Sequence, residues 1–397
     1  MKKSVLAVSL ALVFCFMSMS IVGTSAYAEK EIRVGHLTAI SGPASVWGIA
    51  NSRAMSLGAD KINENGGFKV KGETYKWKTI IYDHKYIPAE AVKALNKAIY
   101  ADKVSLVTIM GGSPTLACIP LLKQNNMISL NDAAGGKSVT NPDNPLVFRH
   151  NPGIEASYAV ELKYLKEKYG IKTIASLNPD DETGKANAEA IKYVNEKAQF
   201  GFDLFPSEFF ERGSKDFTAV LTRIIAKKPD LIETGMTDPT SQALVLKQAR
   251  ELGYKGHMLL IWGPDPAQVL KIAGPLAEGA FLGIAITEPG TDEAKDLYER
   301  YLKKYPADEW NGNYYTHSAL YDCLTPAIEK AQTFNPQVLV KVIEDMKWKG
   351  AWGNYSWGGT DLFGIKRQLL MPVTLQTVEN GKVIPLIVTD VPPGVLD

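Results

Sequence analysis

One glycine- and hydroxyl-rich stretch, residues 108–117 (TIMGGSPTLA), has the composition of a binding or catalytic turn. It follows the apolar run VSLV and leads into a helical pattern. A turn of this kind between a strand and a helix suits three kinds of site: a phosphate cradle, the bend beneath a catalytic serine, or a seat for another anion. The rest of the chain decides among them.

Phosphate chemistry and nucleophilic catalysis both lack their sequence signatures. Residues 131–138 (NDAAGGKS) end like a P-loop, but Asn131 occupies the position of its first glycine. A serine elbow needs G-x-S-x-G, and GGSPT lacks the second glycine. The five histidines are scattered singly, which does not support a zinc helix. We therefore expect no enzyme activity, no metal and no cofactor, while a hydrolase whose groups meet only in space stays an alternative.

Anion binding without chemistry fits the stretch best. The first amides of a helix have no internal partners, and together with the Ser113 and Thr115 hydroxyls they can receive a carboxylate. Gly111 and Gly112 would let a ligand approach the backbone closely. An ordinary helix start without a ligand is the alternative for this stretch taken alone.

The elements around this stretch alternate between strand and helix patterns. This rhythm predicts βαβ units and mainly parallel sheets. It starts afresh near residue 150, after NPDNPLVFRHNP, so we predict two doubly wound lobes. EGAFLGIAITEPG and GAWGNYSWGGTDLFG interrupt it again and are candidate further crossings, and the tail predicts a hairpin turning at Asn380–Gly381. The predicted parts are a signal peptide (1–28), an N-terminal lobe (29–149 plus about 287–356) and a C-terminal lobe (150–286 plus about 357–397).

Ligands of open α/β sheets bind beyond the carboxyl ends of the strands. The segments that follow the predicted strands are rich in small residues, hydroxyls and carboxylates. Among them, Asp265 could hold an ammonium group, or it could cap the helix that begins in GPDPAQVL. Trp47 could offer a flat apolar surface to a ligand, or it could only pack the wall of the cleft. The segments are TAISGPASVWG, GGSPT, LNDAAG, NPDDETG, TGMTDP and WGPDP.

The first residues carry an export signal. A basic start (MKK), an apolar core and a small-x-small ending at SAYA predict cleavage before Glu29. Removing the two lysines turns the formal net charge of +1 into −1, which gives no electrostatic case for nucleic acid or an anionic membrane. We expect a soluble periplasmic protein. Cys118 and Cys323 remain after cleavage, either as buried thiols or as one disulfide.

Several segments together resemble a known family. IRVGHLTAISGPASVWG, GADKINENGG, DFTAVLTRIIAKKPDLI, QARELGYKG and WGPDPAQVLKIAGPLAEGAF are similar, in order and spacing, to the type I periplasmic solute-binding proteins of ABC importers. Within that group they resemble the leucine/isoleucine/valine-binding (branched-chain amino acid) family. The resemblance covers essentially the whole mature chain. It implies two Rossmann-like lobes joined by three crossings that close on a ligand by a hinge motion.

The resemblance also implies roles for individual residues. Ser113, with Gly112 and Thr115 beside it, falls on the serine turn that receives the ligand carboxylate, and Trp47 on an aromatic of the pocket. Asp265 falls on the acid that pairs with the α-ammonium. Asn131 and Ala133 fall near residues that complete these contacts from the first lobe.

Departures from the family pattern concern the second lobe. Thr183 stands where a tyrosine is usual, and Met236 and Thr237 stand where another is often found. Losing both aromatics opens the pocket to another amino acid, an aromatic carboxylate or a short amide. We expect a monomeric receptor that delivers a small carboxylate-bearing ligand, an amino acid of the branched-chain type, to an inner-membrane ABC permease. A sensory ligand-binding protein stays an alternative.

Overall fold

The computed structural model describes residues 30–133, 136–261, 264–283, 290–310 and 315–391. The predicted signal peptide lies outside these residues. No helix in the described ranges is long and apolar enough to cross a membrane. The strands are β1 Lys30–Thr38, β2 Phe68–Val70, β3 Glu73–Asp83, β4 Leu106–Ile109, β5 Ser129–Asn131, β6 Val147–Pro152, β7 Thr173–Pro179, β8 Asp203–Leu204, β9 Glu208–Phe210, β10 Leu231–Thr234, β11 His257–Leu260, β12 Phe281–Gly283, β13 Lys347–Gly350, β14 Gly353–Gly358, β15 Gln368–Leu370, β16 Val373–Glu379 and β17 Lys382–Thr389.

Helices alternate with these strands through most of the chain, as the sequence predicts. They are α1 Ser45–Glu64, α2 Pro88–Asn96, α3 Gly112–Gln124, α4 Gly136–Val139, α5 Ile154–Tyr169, α6 Glu182–Lys197, α7 Thr218–Ala226, α8 Pro239–Glu251, α9 Pro266–Ala273, α10 Asp292–Leu302, α11 Tyr315–Ala331, α12 Pro336–Ile343 and α13 Thr360–Phe363.

The strands form two sheets. The first sheet has the order β13-β14-β15-β6-β5-β4-β1-β3-β2, and the second has the order β17-β16-β12-β11-β10-β7-β8, with β9 also on β7. The central strands of each sheet pair in parallel. They are β1, β4, β5 and β6 in the first sheet and β7, β10, β11 and β12 in the second. Antiparallel pairs lie at both ends of the first sheet and at the β16–β17 end of the second, whose other end is β8 in parallel with β7. The predicted α/β class with parallel sheets is confirmed.

Apolar side chains fill both faces of each sheet, because successive residues of a strand point to opposite sides. In β4, Leu106 packs into one cluster while Val107 and Ile109 pack into another. In β10, Leu231 and Ile232 divide in the same way. Helices on both faces therefore hold each sheet in place, and the carboxyl ends of the parallel strands stay at one edge.

The chain passes between the two sheets three times, as the strand order of each sheet shows. The first passage comes after Pro152, the second lies between β12 and β13, and the third comes after Leu370. Strand β15 pairs in parallel with β6 of the first sheet, so the last passage comes later than the predicted position near 357. The division into two lobes that move as separate domains stays a prediction.

The two cysteines retained after the predicted cleavage are free thiols in the structure. Cys118 and Cys323 are both fully buried, in different apolar clusters of the first sheet. Burial raises the pKa of each thiol to about 12. Of the two possibilities left open by the sequence, the structure has the buried thiols.

Candidate ligand-binding site

The turn after β4 has the geometry expected of an anion seat. Gly111 has a φ of 95°, and α3 begins directly after it with no side chain capping its first amides. The helix begins at Gly112, ahead of Pro114, because proline is tolerated in a first turn. The amides of Gly112 and Ser113 therefore belong to the uncapped start of a helix, where its dipole favours negative charge.

The two predicted hydroxyls of this turn are placed differently. Ser113 is half-buried, and its hydroxyl has no hydrogen-bond partner within the described ranges. Thr115 is fully buried, and its hydroxyl donates to the Ile109 carbonyl at 3.5 Å. Ser113 is thus the hydroxyl that can receive a ligand, while Thr115 fastens the helix to the end of β4.

Aromatic side chains line the same end of the first sheet. Trp47, near the start of α1, is partly buried against Ala39, Ala44 and Met110 together with Tyr86. The Tyr86 ring also lies against the turn, since a Cβ built on Gly111 would be 2.7 Å from its Cε2. The sequence analysis identified Trp47 but missed Tyr86, which lies in the DHKYIP loop after β3 and belongs to no motif.

Tyr86 has a strained backbone. Its φ is 63°, and that of Lys85 before it is 56°, a region that residues with side chains seldom adopt. Hydrogen bonds hold this loop: the Tyr86 amide donates to His84 Nδ1 at 3.0 Å, and the His84 amide donates to the Thr38 carbonyl at 2.9 Å. Strain of this kind is often found at functional sites.

Residues of the second sheet also contact Tyr86. Thr183, in the first turn of α6, places its Oγ1 3.3 Å from the Tyr86 hydroxyl. Met236 and Thr237 follow β10 and are buried, and the Thr237 hydroxyl is 3.5 Å from Asp238 Oδ2. Thr183 therefore contacts Tyr86 at the end of the first sheet. Met236 is connected to the same residue through Arg212.

Arg212, in the loop after β9, also lies at this junction. Its Nε donates to Asp181 Oδ2 at 2.6 Å, its Nη2 donates to the Met236 carbonyl at 3.2 Å, and its guanidinium carbon is 4.8 Å from the Tyr86 ring centroid. Burial acts to lower the pKa of Arg212, but Tyr86 and Asp181 outweigh it and leave the pKa above its ordinary value. Arg212 was not predicted from the sequence, because a single arginine in a loop forms no recognisable motif.

Asn131 and Ala133 lie in the first sheet's interior. Asn131 is fully buried, and its Nδ2 donates to Ser129 Oγ at 3.0 Å and to the Phe148 carbonyl at 3.2 Å. Ala133 packs into an apolar cluster. Neither side chain is brought against Ser113 by a contact in the described ranges, so their predicted ligand contacts stay predictions.

Asp132 lies between these two residues in the chain, and it was not among the residues predicted from the sequence. Its carboxylate accepts from the side-chain amides of Asn51 at 3.1 Å and Asn151 at 3.0 Å, and its carbonyl accepts from the Gly111 amide at 2.7 Å. These bonds connect the Gly111 turn with β5, α1 and the end of β6. Asp132 therefore fixes the position of the Gly111 turn.

Asp265 caps α9. Its Oδ1 accepts from the Gln268 amide at 3.1 Å, and the residue is half-buried. It follows β11, which pairs in parallel with β10, so it lies at the same edge of the second sheet as Met236. The capping role is established by the geometry, and the pairing with an ammonium group stays a prediction.

The family described as "Periplasmic binding protein" matches residues 31–382. A leucine-, isoleucine-, valine-, threonine- and alanine-binding protein from Pseudomonas aeruginosa is 23% identical over 341 residues, which are 85% of this chain and 89% of that one.

Two solved structures illustrate the shared fold. A leucine-binding protein from Thermotoga maritima has a TM-score of 0.77 at 22% identity, covering 90% of this chain and 99% of its own. A fatty acid ABC transporter substrate-binding protein from Thermomonospora curvata has a TM-score of 0.77 at 19% identity, covering 92% and 94%. The resemblance inferred from the sequence is confirmed, and the chain belongs to the periplasmic binding protein family.

Proposed function

We propose that this chain is the extracytoplasmic substrate-binding protein of an ABC transporter. It captures a small carboxylate-bearing ligand, an amino acid, between the carboxyl ends of its two sheets and delivers it to a permease in the inner membrane. The observation that carries the proposal is the uncapped start of α3, with the half-buried Ser113 hydroxyl beside it and second-sheet residues opposite.

The ligand carboxylate would lie on the Gly112 and Ser113 amides and the Ser113 hydroxyl. Charge-assisted hydrogen bonds of this kind are stronger than neutral ones, and the helix dipole adds to them. The α-ammonium group would pair with Asp265 at the edge of the second sheet. Trp47 and Tyr86 would supply the apolar wall, so the arrangement selects a zwitterion with a compact body.

The names of the relatives support an amino acid as the ligand class. The Pseudomonas aeruginosa relative is named for five amino acids, and the Thermotoga maritima protein is named for leucine. The fold alone does not set the ligand, because the Thermomonospora curvata protein of equal TM-score is named for fatty acids. Residues at the cleft must therefore decide it.

We also propose binding without catalysis, in the periplasm, by a monomer whose two lobes close on the ligand. The export pattern of residues 1–28 supports the location. The contact of Tyr86 with Thr183 and Arg212 supports closure, since these residues belong to different sheets.

Mass spectrometry of the ligand retained by the purified protein tests this function. The protein is purified without denaturation, its small molecules are extracted, and they are compared with those from a Ser113→Ala variant. We expect one carboxylate-bearing molecule, an amino acid, in the wild-type extract and less of it in the variant extract. A retained molecule without a carboxylate, or turnover of the retained molecule by the protein, would overturn the proposal.

A further inference from the structure

Arg212 reaches the predicted binding region from the second sheet. Its guanidinium lies over the ring of Tyr86, and that ring contacts Gly111 at the turn before Ser113. Its side chain is only 16% exposed. A largely buried cation of the second sheet is thus stacked on Tyr86, the aromatic side chain that also contacts the Gly111 turn.

The hydrogen bonds of Arg212 leave one nitrogen without an acceptor. Nε donates to Asp181 and Nη2 donates to the Met236 carbonyl, whereas Nη1 is buried and has no hydrogen-bond partner in the described ranges. A guanidinium has five N–H donors, and a buried donor without an acceptor is unfavourable. An acceptor brought by a ligand would satisfy Nη1.

Arg212 is held firmly enough to act as a fixed donor. Asp181 accepts from Arg212 through Oδ2 and caps α6 through Oδ1, which accepts from the Gly184 amide at 3.1 Å. The Met236 carbonyl fixes a second nitrogen at the end of β10. The guanidinium plane is therefore set by two elements of the second sheet, as a group that recognises a ligand must be.

The charges around Arg212 favour an uncharged acceptor. Asp181 already forms an ion pair with it, and the negative charge of Asp238 also acts on it. A second carboxylate on the ligand would place three acids around one cation. A carbonyl or hydroxyl oxygen avoids this repulsion and still satisfies Nη1.

We propose that Arg212 is a specificity-determining residue that donates through Nη1 to an uncharged oxygen on the side chain of the ligand. The preferred ligands are then amino acids with an amide-bearing side chain, such as glutamine, rather than aliphatic ones. This inference rests on the proposed function and extends it to a substrate class.

Isothermal titration calorimetry on the ligand-free mature protein tests the inference with four L-amino acids: glutamine, glutamate, leucine and methionine. Methionine matches glutamine in length but has no side-chain oxygen. We expect glutamine to bind about tenfold or more tightly than methionine and leucine, which corresponds to about 1.4 kcal/mol or more. Equal or tighter binding of the aliphatic ligands, or tightest binding of glutamate, would overturn the inference.

A double variant separates ligand recognition from folding. Arg212→Met alone would leave the half-buried Asp181 without its ion-pair partner, so it is combined with Asp181→Asn, which keeps the cap of α6. We expect the double variant to bind glutamine about tenfold more weakly while binding methionine as the wild type does. Equal weakening of both ligands would assign Arg212 a structural role only. Arg223→Met, which removes an exposed arginine paired with Glu208, is the matched control and should leave both affinities unchanged.

The two levels of the proposal fail in different ways. If zwitterions bind without preference for a side-chain oxygen, only the role of Arg212 is overturned. If the folded protein binds none of the amino acids, the proposed function fails and this inference fails with it. If the double variant does not fold, the comparison of glutamine with methionine on the wild-type protein still decides.

Discussion

Single residues connect the two sheets at the predicted cleft. Tyr86 belongs to the first sheet, yet its hydroxyl lies near Thr183 and its ring lies under Arg212, both from the second. Asp265, at the second sheet's edge, already caps a helix. A residue with a structural role can also bind a ligand. A variant that keeps the structural role and removes the binding group tests whether it does.

Asp265→Asn is such a variant. Asparagine caps a helix about as well as aspartate, so we expect the melting temperature to change little. The negative charge is lost, and affinity for an amine-bearing ligand should fall by roughly 1.5–3 kcal/mol, the scale of a charged hydrogen bond. Calorimetry with the best-binding amino acid measures this. The control is Asp345→Asn, an exposed acid paired with Lys366; if both variants bind equally well, Asp265 is not part of the site.

For single residues, the sequence predicts which hydroxyl and carboxylate groups could bind a ligand, but it does not predict which side chains surround them. Ser113 could be identified because glycine, serine and proline after an apolar strand indicate a helix start open to an anion. Tyr86 and Arg212 could not, because their roles depend on a contact between segments far apart in the chain. Asn131 was assigned by resemblance to the site, although its amide is bonded to β5 and β6 inside the sheet.

The start of α3 depends on one glycine. Gly111 has a φ of 95°, and a side chain there would meet the Tyr86 ring at 2.7 Å. Backbone strain and steric clash are thus combined at one position. A second glycine with similar φ but open surroundings, Gly253 at 87°, separates the two effects.

We therefore expect Gly111→Ala to lower the free energy of unfolding more than Gly253→Ala does. Strain alone costs roughly 1–3 kcal/mol at either site, and the clash at Gly111 adds to it while moving the turn that carries Ser113. Urea unfolding of both variants measures the difference, and calorimetry measures ligand binding. Equal destabilisation, with ligand binding retained in both, would show that Tyr86 does not constrain the turn.

A pair of buried acids makes the second sheet sensitive to pH. Glu233 on β10 accepts from Ser176 and from Asn187, the latter at 3.1 Å, and Glu161 on α5 is fully buried. Burial raises the pKa of Glu233 to about 7 despite these hydrogen bonds. Burial and the charge of Glu233 raise the pKa of Glu161 well above its ordinary value.

The direction of the pH effect follows from these shifts. Between the ordinary glutamate pKa of 4.5 and the folded pKa of about 7, the folded state holds a proton that the unfolded state has lost. The Glu233 contribution to stability is thus fully present below pH 4.5 and is lost as pH rises to about 7. Glu161 extends the same loss to higher pH.

Glu233→Gln should remove part of this loss. Glutamine cannot ionise and its oxygen can still accept from Ser176 and Asn187, so we expect the free energy of unfolding near pH 8 to rise by about 3 kcal/mol, from the difference between 4.5 and about 7 at 1.36 kcal/mol per pKa unit. Urea unfolding near pH 5 and pH 8 measures it. Glu251→Gln, at an exposed position of α8, is the control; a Glu233 variant with the wild-type pH dependence would contradict the assignment.

The elements themselves were predicted well where their period is regular and less well at edges. The apolar stretch FDLFPSEFF (202–210) forms two short strands, β8 and β9, because Pro206 has no amide to donate to β7. The final hairpin turns at Asn380–Gly381 as predicted, with both residues at positive φ. Strand β15 falls within the predicted C-terminal lobe (about 357–397), but it pairs with β6 of the first sheet; its three residues are too few to show a period.

At the scale of the whole molecule, two passages between the sheets are fastened to each other. Arg149 of β6 pairs with the buried Glu155 at 3.6 Å, and its Nε donates to Gln368 of β15 at 2.5 Å. Gln368 in turn donates to the Asn151 carbonyl at 2.6 Å. These bonds join the chain where it leaves the first sheet after β6 and after β15, which is where a hinge between the predicted lobes would lie.

The thiols give a test of the whole fold. Cys118 and Cys323 are buried in separate clusters with raised pKa values, so neither should react with Ellman's reagent near pH 8 in the native mature protein. After unfolding in guanidinium, both should react. Protein that shows no thiol after unfolding would contain a disulfide and contradict the structure.

Calorimetric titration of the ligand-free mature protein with the L-amino acids tests the central claim most directly, using wild type, Ser113→Ala and Ser105→Ala. Ser105 is an exposed serine just before β4, at the opposite end of that strand from the turn. We predict one-to-one binding of at least one amino acid, an affinity about tenfold or more weaker in Ser113→Ala, and no change in Ser105→Ala. Absence of amino-acid binding by the folded wild type, or equal affinity of Ser113→Ala, would contradict the account.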